Sequence, residues 1–295
     1  MAVMSDVQAL IDAAPYEASE TLSPLVRRVL ARNPSPFTYT GTGTYIVGRG
    51  TVAVIDPGPA YPAHLAALSA AVAGETVSHI FVTHTHMDHS PAAPALKAAT
   101  GAEIVGCVPL VLSDDGPRAD AGFDPTYAPD RVLGDGESVG GPGWTLTAVA
   151  TPGHTSNHLC FALAEERALF SGDHVMGWST TVVAPPDGDM RAYIASLKLL
   201  LDRDDVVYYP THGAPIADPQ RFVRGLITHR KQREGQILRL LGEGERIIPA
   251  MVATMYAGVD PRLHPAAGRS VLAHLIDLRA RGLVADIGDT WRLVA

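Results

Sequence analysis

Cysteine is nearly absent. The 295 residues hold two, Cys107 and Cys160, far apart and in unrelated contexts. That excludes a disulfide framework and fits reduced thiols in a cytoplasmic protein. No window approaches the ~18 consecutive apolar residues that a membrane-spanning helix needs. The opening stretch, MAVMSDVQALIDAAP, has no basic segment followed by an apolar one, so no secretory signal is expected. Neither a short fixed-period repeat nor a low-complexity tract interrupts the chain. No serine-hydrolase nucleophile elbow is read from the sequence either.

What is present is a soluble globular composition, 46% hydrophobic and 18% charged, enough for a sizeable core. The net charge of −8 is uneven. Residues 218–295 carry 12 Lys+Arg against 8 Asp+Glu, and the residues before them carry 11 against 23. An anionic partner for the C-terminal part is the mild expectation from that contrast.

Up to about residue 215, short β-rich runs alternate with Ala/Leu-rich helical stretches, the order of layered α/β proteins. TGTYIVG and TVAVID predict a hairpin around 48–50, and SHIFVT, EIVG, WTLTAVA, HLCFALA, ALFSG and VVYYP predict further strands. Helices are predicted over 61–73, 92–99 and 190–201, the second with Ser90 as N-cap and Pro91 at its first position. From 218 the texture changes. A long helix to 241, helices over 247–256 and 265–281, and a hairpin turning at Gly288-Asp289 give the order of a winged helix. The expected division is therefore 1–217 as catalytic domain and 218–295 as a helical, winged-helix-like domain.

Residues 82–90 read VTHTHMDHS: three histidines and an aspartate directly after an apolar strand. Imidazole is the commonest metal ligand, and a carboxylate adds negative charge for the same cation. Alternation along an extended segment sends His84, His86 and Asp88 to one side. The turn into the next helix can then swing Asp88 and His89 towards a second centre. Three later strands each end on a residue of ligand type: WTLTAVATPGHT at His154, ALFSGD at Asp173 and VVYYPTHG at His212. The crevice beyond strand ends is where α/β sheets gather their sites.

H-x-H-x-D-H at 84–89, then TPGHT, SGD and THG in that order, resembles the metallo-β-lactamase superfamily. GHTSNHLCFAL, GDHVMGWSTTVVAPPDGD, THRKQREGQIL and the winged-helix-like tail resemble one branch of it, the β-lactamase-like protein 2 group. The resemblance implies an αββα sandwich with its metals at one edge. It implies that His84, His86 and His154 hold a first cation, that Asp88, His89 and His212 hold a second, and that Asp173 bridges them. Asp56, in VIDPG, matches a motif whose aspartate is structural rather than a ligand.

All these ligands are nitrogen or oxygen, so two Zn²⁺ are expected, with Fe or Mn as alternatives. Two cations about 3.5–4 Å apart can lower the pKa of a shared water from ~15.7 towards ~7. Hydroxide is then the nucleophile, and Asp88 is the candidate proton carrier. His158 is a candidate support for the ligands, with a satisfied core histidine as the plain alternative; His174 is a candidate to orient Asp173 or line the site, with a side chain pointing away as its alternative. The basic run His229, Arg230, Lys231, Arg233 reads as a solvated helix face.

Three functions stay open on these observations. The first is hydrolysis of a small-molecule ester, thioester, lactone or lactam. The second is single-strand endoribonuclease activity, which the resembled branch implies and which makes RNA a partner. The third is non-enzymatic nucleic-acid binding. The helix from 218 follows His212 so closely that it is expected to wall one side of the site.

Overall fold

The computed structural model describes residues 2–110 and 122–294. A helix, α1 (Ala2–Ala13), leads into a seven-stranded sheet in sequential order: β1 (Ser19–Thr21), β2 (Val26–Leu30), β3 (Gly43–Arg49), β4 (Thr51–Ile55), β5 (Thr76–Val82), β6 (Glu103–Gly106) and β7 (Arg131–Val132). The first four strands pair antiparallel; from β4 onward the pairings are parallel, because α2 (Pro62–Ala71) and α3 (Ala93–Thr100) supply the crossovers. The second sheet runs β12 (Val207–Pro210), β11 (Ala168–Gly172), β10 (Leu159–Leu163), β9 (Trp144–Ala150) and β8 (Ser138–Gly141). α4 (Met190–Leu201) crosses from β11 to β12.

One core lies between the sheets. Tyr45, Phe81, Trp144, Phe161 and Phe170 are among its buried members, with Leu68 and Leu96 from α2 and α3. Two buried polar groups tie the sheets at their rims: Trp144 Nε1 donates to Thr51 O at 2.9 Å and Tyr45 OH to Pro210 O at 2.6 Å. A second core forms on the outer face of the second sheet, where Cys160, Leu169 and Tyr208 meet α4 and α5 (Pro219–Gly242). The layers are therefore αββα, as expected.

α5 joins two cores. Val223, Leu226 and Ile227 pack in the second; Ile237 and Leu241 pack in a third with α6 (Ile248–Met255), α7 (His264–Ala280) and Trp291. A small sheet of β13 (Arg246–Ile247), β15 (Thr290–Leu293) and β14 (Val284–Ile287) completes this winged helix, with Gly288 at φ 60° in the turn of its ribbon. The unit is docked on the sandwich: Ala273 of α7 joins the second core, and Arg191 of α4 pairs with Asp277 at 2.8 Å.

Two local readings change. Ser90 does not cap α3; its hydroxyl donates to Asp124 Oδ2 at 2.8 Å, and the helix starts behind Ala92 with no side-chain cap. β1 and β2 were not expected, since the polar VRRVL run hides a strand. Arg27 and Arg28 sit there half-buried, paired with Glu75 and Glu20.

The packing predicts where the chain is fragile. Leu226→Ala should destabilise by about 2–5 kcal/mol, because it opens a hole between α5 and the second sheet. Ile287→Ala, at a position 63% exposed, should stay within about 0.5 kcal/mol. Urea unfolding followed by circular dichroism measures both.

Candidate metal centre

β5 ends at Val82, and the histidine-rich stretch follows as a loop and turn. His86 bridges to Phe123, then the chain turns, with His89 N–H donating to His86 O at 3.0 Å. That turn ends the alternation, so Asp88 and His89 separate from His84 and His86. The ends of β11 and β12 bring Asp173 and His212, and the loop after β9 brings His154. Two groups of potential ligand atoms result, His84, His86, His154 with Asp173, and Asp88, His89 with His212, the atoms of each lying within 4.8 Å of one another.

In the first group His84 Nε2 and His154 Nε2 lie 2.9 and 3.1 Å from His86 Nδ1. The three rings are mutually near-perpendicular, at 76–79°. Three imidazoles in that arrangement aim their lone pairs at one point. In the second, Asp88 Oδ2 lies 3.5 Å from His89 Nε2 and 3.1 Å from His212 Nε2. Asp173 stands between the groups, with Oδ2 3.8 Å from His154 and Oδ1 3.6 and 3.4 Å from His89 and His212.

The outward-facing atoms are held by a second layer of contacts. His89 Nδ1 meets Asp56 Oδ2 at 2.8 Å, His154 Nδ1 meets Val182 O at 2.7 Å and His212 Nδ1 meets Gly41 O at 3.0 Å. Each contact requires a proton on Nδ1, so that when the ring is neutral Nε2 is the lone pair towards the cluster. Thr83 extends the pattern, donating to Asp56 Oδ2 at 2.8 Å and meeting His84 Nδ1 at 3.0 Å. Thr42 donates to Asp88 Oδ2 at 2.9 Å. Asp56, which the resemblance implied to be structural, also accepts from Thr83 N–H and from Thr211.

Glycines before two of these residues are forced. Gly153 has φ 143°, and a Cβ there would stand 2.3 Å from Tyr193 Cα; Gly172 has φ 51°, and its Cβ would stand 2.6 Å from His158 Nε2.

His158 accepts from the backbone N–H of Asp173 at 3.2 Å and meets Thr151 Oγ1 at 2.8 Å through Nδ1, so it steadies the carboxylate's main chain. His174 differs: neither ring nitrogen has a hydrogen-bond partner among the described residues, and its ring packs on Tyr193 at 4.7 Å. Its basicity falls to about 3, because burial and then His154 disfavour its charge. The letters G-x-S-x-G do occur, as GESVG at 136–140. Ser138 there opens strand β8 at an exposed position, and among the described residues its hydroxyl bonds Thr147 at 2.8 Å and no histidine, so it forms no elbow.

Burial and neighbouring imidazoles hold His84 and His86 well below the ordinary histidine range. Burial would lower His89 and His212 too, but Asp88 and Asp173 raise both, and Asp56 adds to His89. Burial would raise the carboxyls of Asp88 and Asp173, yet these same histidines hold both below the usual range. Buried charge of that density needs compensation. Two observations say that a cation fits: His89 Nε2 and Asp173 Oδ1 are buried with no hydrogen-bond partner, and all seven side chains offer nitrogen or oxygen in two compact sets.

A cavity of about 350 Å³ opens over this cluster. His86, Asp88, His154, Asp173 and His212 form its floor, Phe37, Met176 and Trp178 one wall, and residues of α5, the α6–α7 turn and α7 the other. The long helix thus walls the site, as its position in sequence required. The basic run is not a solvated face: Lys231 is exposed, but Arg230 is 3% exposed and lines the cavity. Its place was readable, because 230 continues the buried stripe 223, 226, 227 at helical spacing.

Fold and site together define a metallo-hydrolase of the metallo-β-lactamase superfamily, and the chain belongs to that family: the family model matches residues 39–212. A second model, the β-lactamase-associated winged helix domain, matches 248–291. Among curated proteins the chain is 35% identical over 275 residues to a β-lactamase-like protein 2 homolog of Caenorhabditis elegans, covering 92% of this chain and 89% of that one. It is 31% identical over 262 residues to an atrochrysone carboxyl ACP thioesterase of Cryptosporiopsis, covering 82% and 75%. Two solved structures share the fold over nearly the whole length. A metallo-β-lactamase family protein of Thermus thermophilus has TM-score 0.74 at 23% identity, covering 93% of this chain and 100% of that one. A β-lactamase domain protein of Burkholderia ambifaria has TM-score 0.79 at 19% identity, covering 95% and 94%.

The electrostatics predict that metal and protons compete. His89 and His212, raised by Asp88 and Asp173, hold protons at neutral pH in chelator-stripped protein and must give them up to a cation. Zinc added near pH 7 in weak buffer should release protons, and its affinity should fall as pH is lowered. Isothermal titration in buffers of different ionisation enthalpy counts them. Asp56→Asn should weaken zinc binding by about 10–100-fold, as loss of a ligand-orienting carboxylate does.

Proposed function

We propose that this chain is a binuclear metal-dependent hydrolase of a small-molecule acyl bond: an ester, thioester, lactone or lactam. The carrying observation is the chamber above the cluster, small, walled mainly by apolar side chains and closed on one side by α5–α7. Such a space suits a compact acyl compound. A single-stranded nucleic acid calls for an open basic groove instead. The relative named as an acyl carrier protein thioesterase supports a thioester among the four bonds.

In this reading His84, His86 and His154 would hold one cation and Asp88, His89 and His212 the other, with Asp173 shared between them. Zinc suits the donor set, with iron or manganese the other candidates. Two such cations, when bound, polarise the scissile carbonyl and bring the pKa of a water from ~15.7 towards ~7. Asp88 is the proton carrier, since its contacts with the described residues use Oδ2 and leave Oδ1 for the cavity it lines. His158 keeps the Asp173 main chain in place. We divide the chain into 1–217, which supplies the ligands, and 218–295, which closes the chamber. No described helix is long and apolar enough to cross a membrane. The two cysteines are free and buried, which supports the proposed cytoplasmic location.

The test is hydrolysis of a panel of small chromogenic esters, thioesters and lactones by zinc-loaded protein. At least one class should be cleaved, and chelation should abolish it. Asp173→Asn should lower kcat by about a hundredfold or more while the far-ultraviolet spectrum is kept. Activity indifferent to both chelator and Asp173→Asn would overturn the proposal. Metal-dependent cleavage of a single-stranded oligonucleotide, with every acyl substrate untouched, would make the chain a nuclease.

A further inference from the structure

Arg230 sits deep in the chamber wall with a charge that nothing balances. The residue is 3% exposed, yet the one protein acceptor its guanidinium reaches among the described residues is the carbonyl of Thr181, which Nη2 engages. Nε is buried without a partner. One turn on, Arg233 reaches only uncharged acceptors among the described residues, Gln236 Oε1 at 2.9 Å and Met255 O at 3.0 Å, and its Nε again has no partner there. Elsewhere the chain spends carboxylates on less buried arginines, as in Arg27–Glu75, Arg203–Asp205 and Arg281–Glu234. A guanidinium cannot shed its proton, and a buried charge left unpaired is strongly unfavourable. With no carboxylate bonded to Arg230 among the described residues, the missing partner is expected from outside.

The guanidinium is also held in a fixed relation to the cluster. Thr181 donates through Oγ1 to Asp173 O at 2.6 Å while its own carbonyl holds Arg230, and the next carbonyl, Val182 O, fixes His154 at 2.7 Å. Tyr193 supports the other side, its ring centre 5.2 Å from Arg230 Cζ. One short backbone strap thus positions two potential ligands and the charge beside them. His229 lines the same wall with a buried, unpartnered Nδ1, and burial and then its two arginine neighbours depress it to about 4, so it adds a neutral polar group.

We infer that Arg230, backed by Arg233, binds a carboxylate on the substrate, so that the enzyme selects acyl compounds bearing a free acid group near the bond it cuts. A carboxylate matches the planar fork of one guanidinium in two parallel bonds. The inference rests on the hydrolase reading and narrows it. A nucleic-acid phosphate chain fits poorly, because it needs several exposed cations and Arg230 is enclosed.

The experiment uses zinc-loaded protein and matched chromogenic esters: p-nitrophenyl monoesters of succinate, glutarate and adipate, against the methyl-capped neutral form of each. At one chain length the acid should be preferred in kcat/KM by about tenfold or more, the range of a charge-assisted hydrogen bond, mainly through KM. Arg230→Met should erase the preference, Arg230→Lys should keep part of it, and Arg233→Gln should reduce it. Glutarate binding by calorimetry gives a readout apart from turnover and should be lost in Arg230→Met. If that variant fails to fold, Arg230→Lys and Arg233→Gln carry the comparison. Equal kcat/KM for acid and neutral esters, or a preference unchanged in these variants, overturns the inference. So does binding of inorganic phosphate or a single-stranded oligonucleotide, but not glutarate, in an Arg230-dependent way. If no ester is cleaved while glutarate still binds through Arg230, the hydrolase reading falls and the carboxylate site stands.

Discussion

The carboxylate of Asp56 is the contact from which the site hangs. It lies at the end of β4, 1% exposed, on a residue whose φ of 47° turns the chain beneath the cluster. A non-glycine residue adopts that conformation only when its surroundings repay the strain. Here they do so with hydrogen bonds: Asp56 receives Thr83 N–H, Thr83 Oγ1, His89 Nδ1 and Thr211 Oγ1. One charge thereby joins the ends of β4, β5 and β12 and fixes the direction of two histidines, one of them through Thr83. Without it, His89 could present either nitrogen to the cluster.

The rest of the fold can be understood as the means of holding seven polar side chains where neither water nor a salt-bridge network would keep them. The two sheets bring strand ends together at one edge, and sequence-distant residues then meet across distances as short as 3.1 Å. Gly153 lets the chain approach the Tyr193 backbone just before His154, and Gly172 lets it approach the His158 ring just before Asp173. The C-terminal unit does more than cover apolar surface. α5 starts in the core of the second sheet and ends in the core of the winged helix, and between these ends it presents Arg230 to the chamber. The net positive charge of residues 218–295 therefore has a local meaning at this wall, separate from any polymer-binding face.

Much of this was legible in the sequence, for identifiable physical reasons. A strand tip carrying H-x-H-x-D-H has few uses other than metal binding, and the order of the later ligand-bearing strand ends fixed the family. Helix 190–201 was readable to the residue, because a strong apolar face follows an aspartate, Asp189, that caps it by accepting from Ala192 N–H. What could not be read depended on contacts distant in sequence. Ser90 looks like a cap until Asp124 is placed beside it. β2 looks too polar for a strand until Glu75 and Glu20 meet its arginines. The two candidate supporting histidines look equivalent in sequence, yet His158 accepts from the Asp173 main chain while the His174 ring has no hydrogen-bond partner among the described residues. Arg230 looks like one more surface cation unless its helical phase is counted against the buried positions before it.

The central claim is that these seven side chains form one binuclear metal site held in place by Asp56. Anomalous diffraction at the zinc edge, on crystals of the zinc-loaded protein, tests it most directly. The account predicts two peaks about 3.5–4 Å apart, one among His84, His86 and His154, the other among Asp88, His89 and His212, with Asp173 reaching both. A single peak, or peaks bound by residues outside these seven, would contradict it.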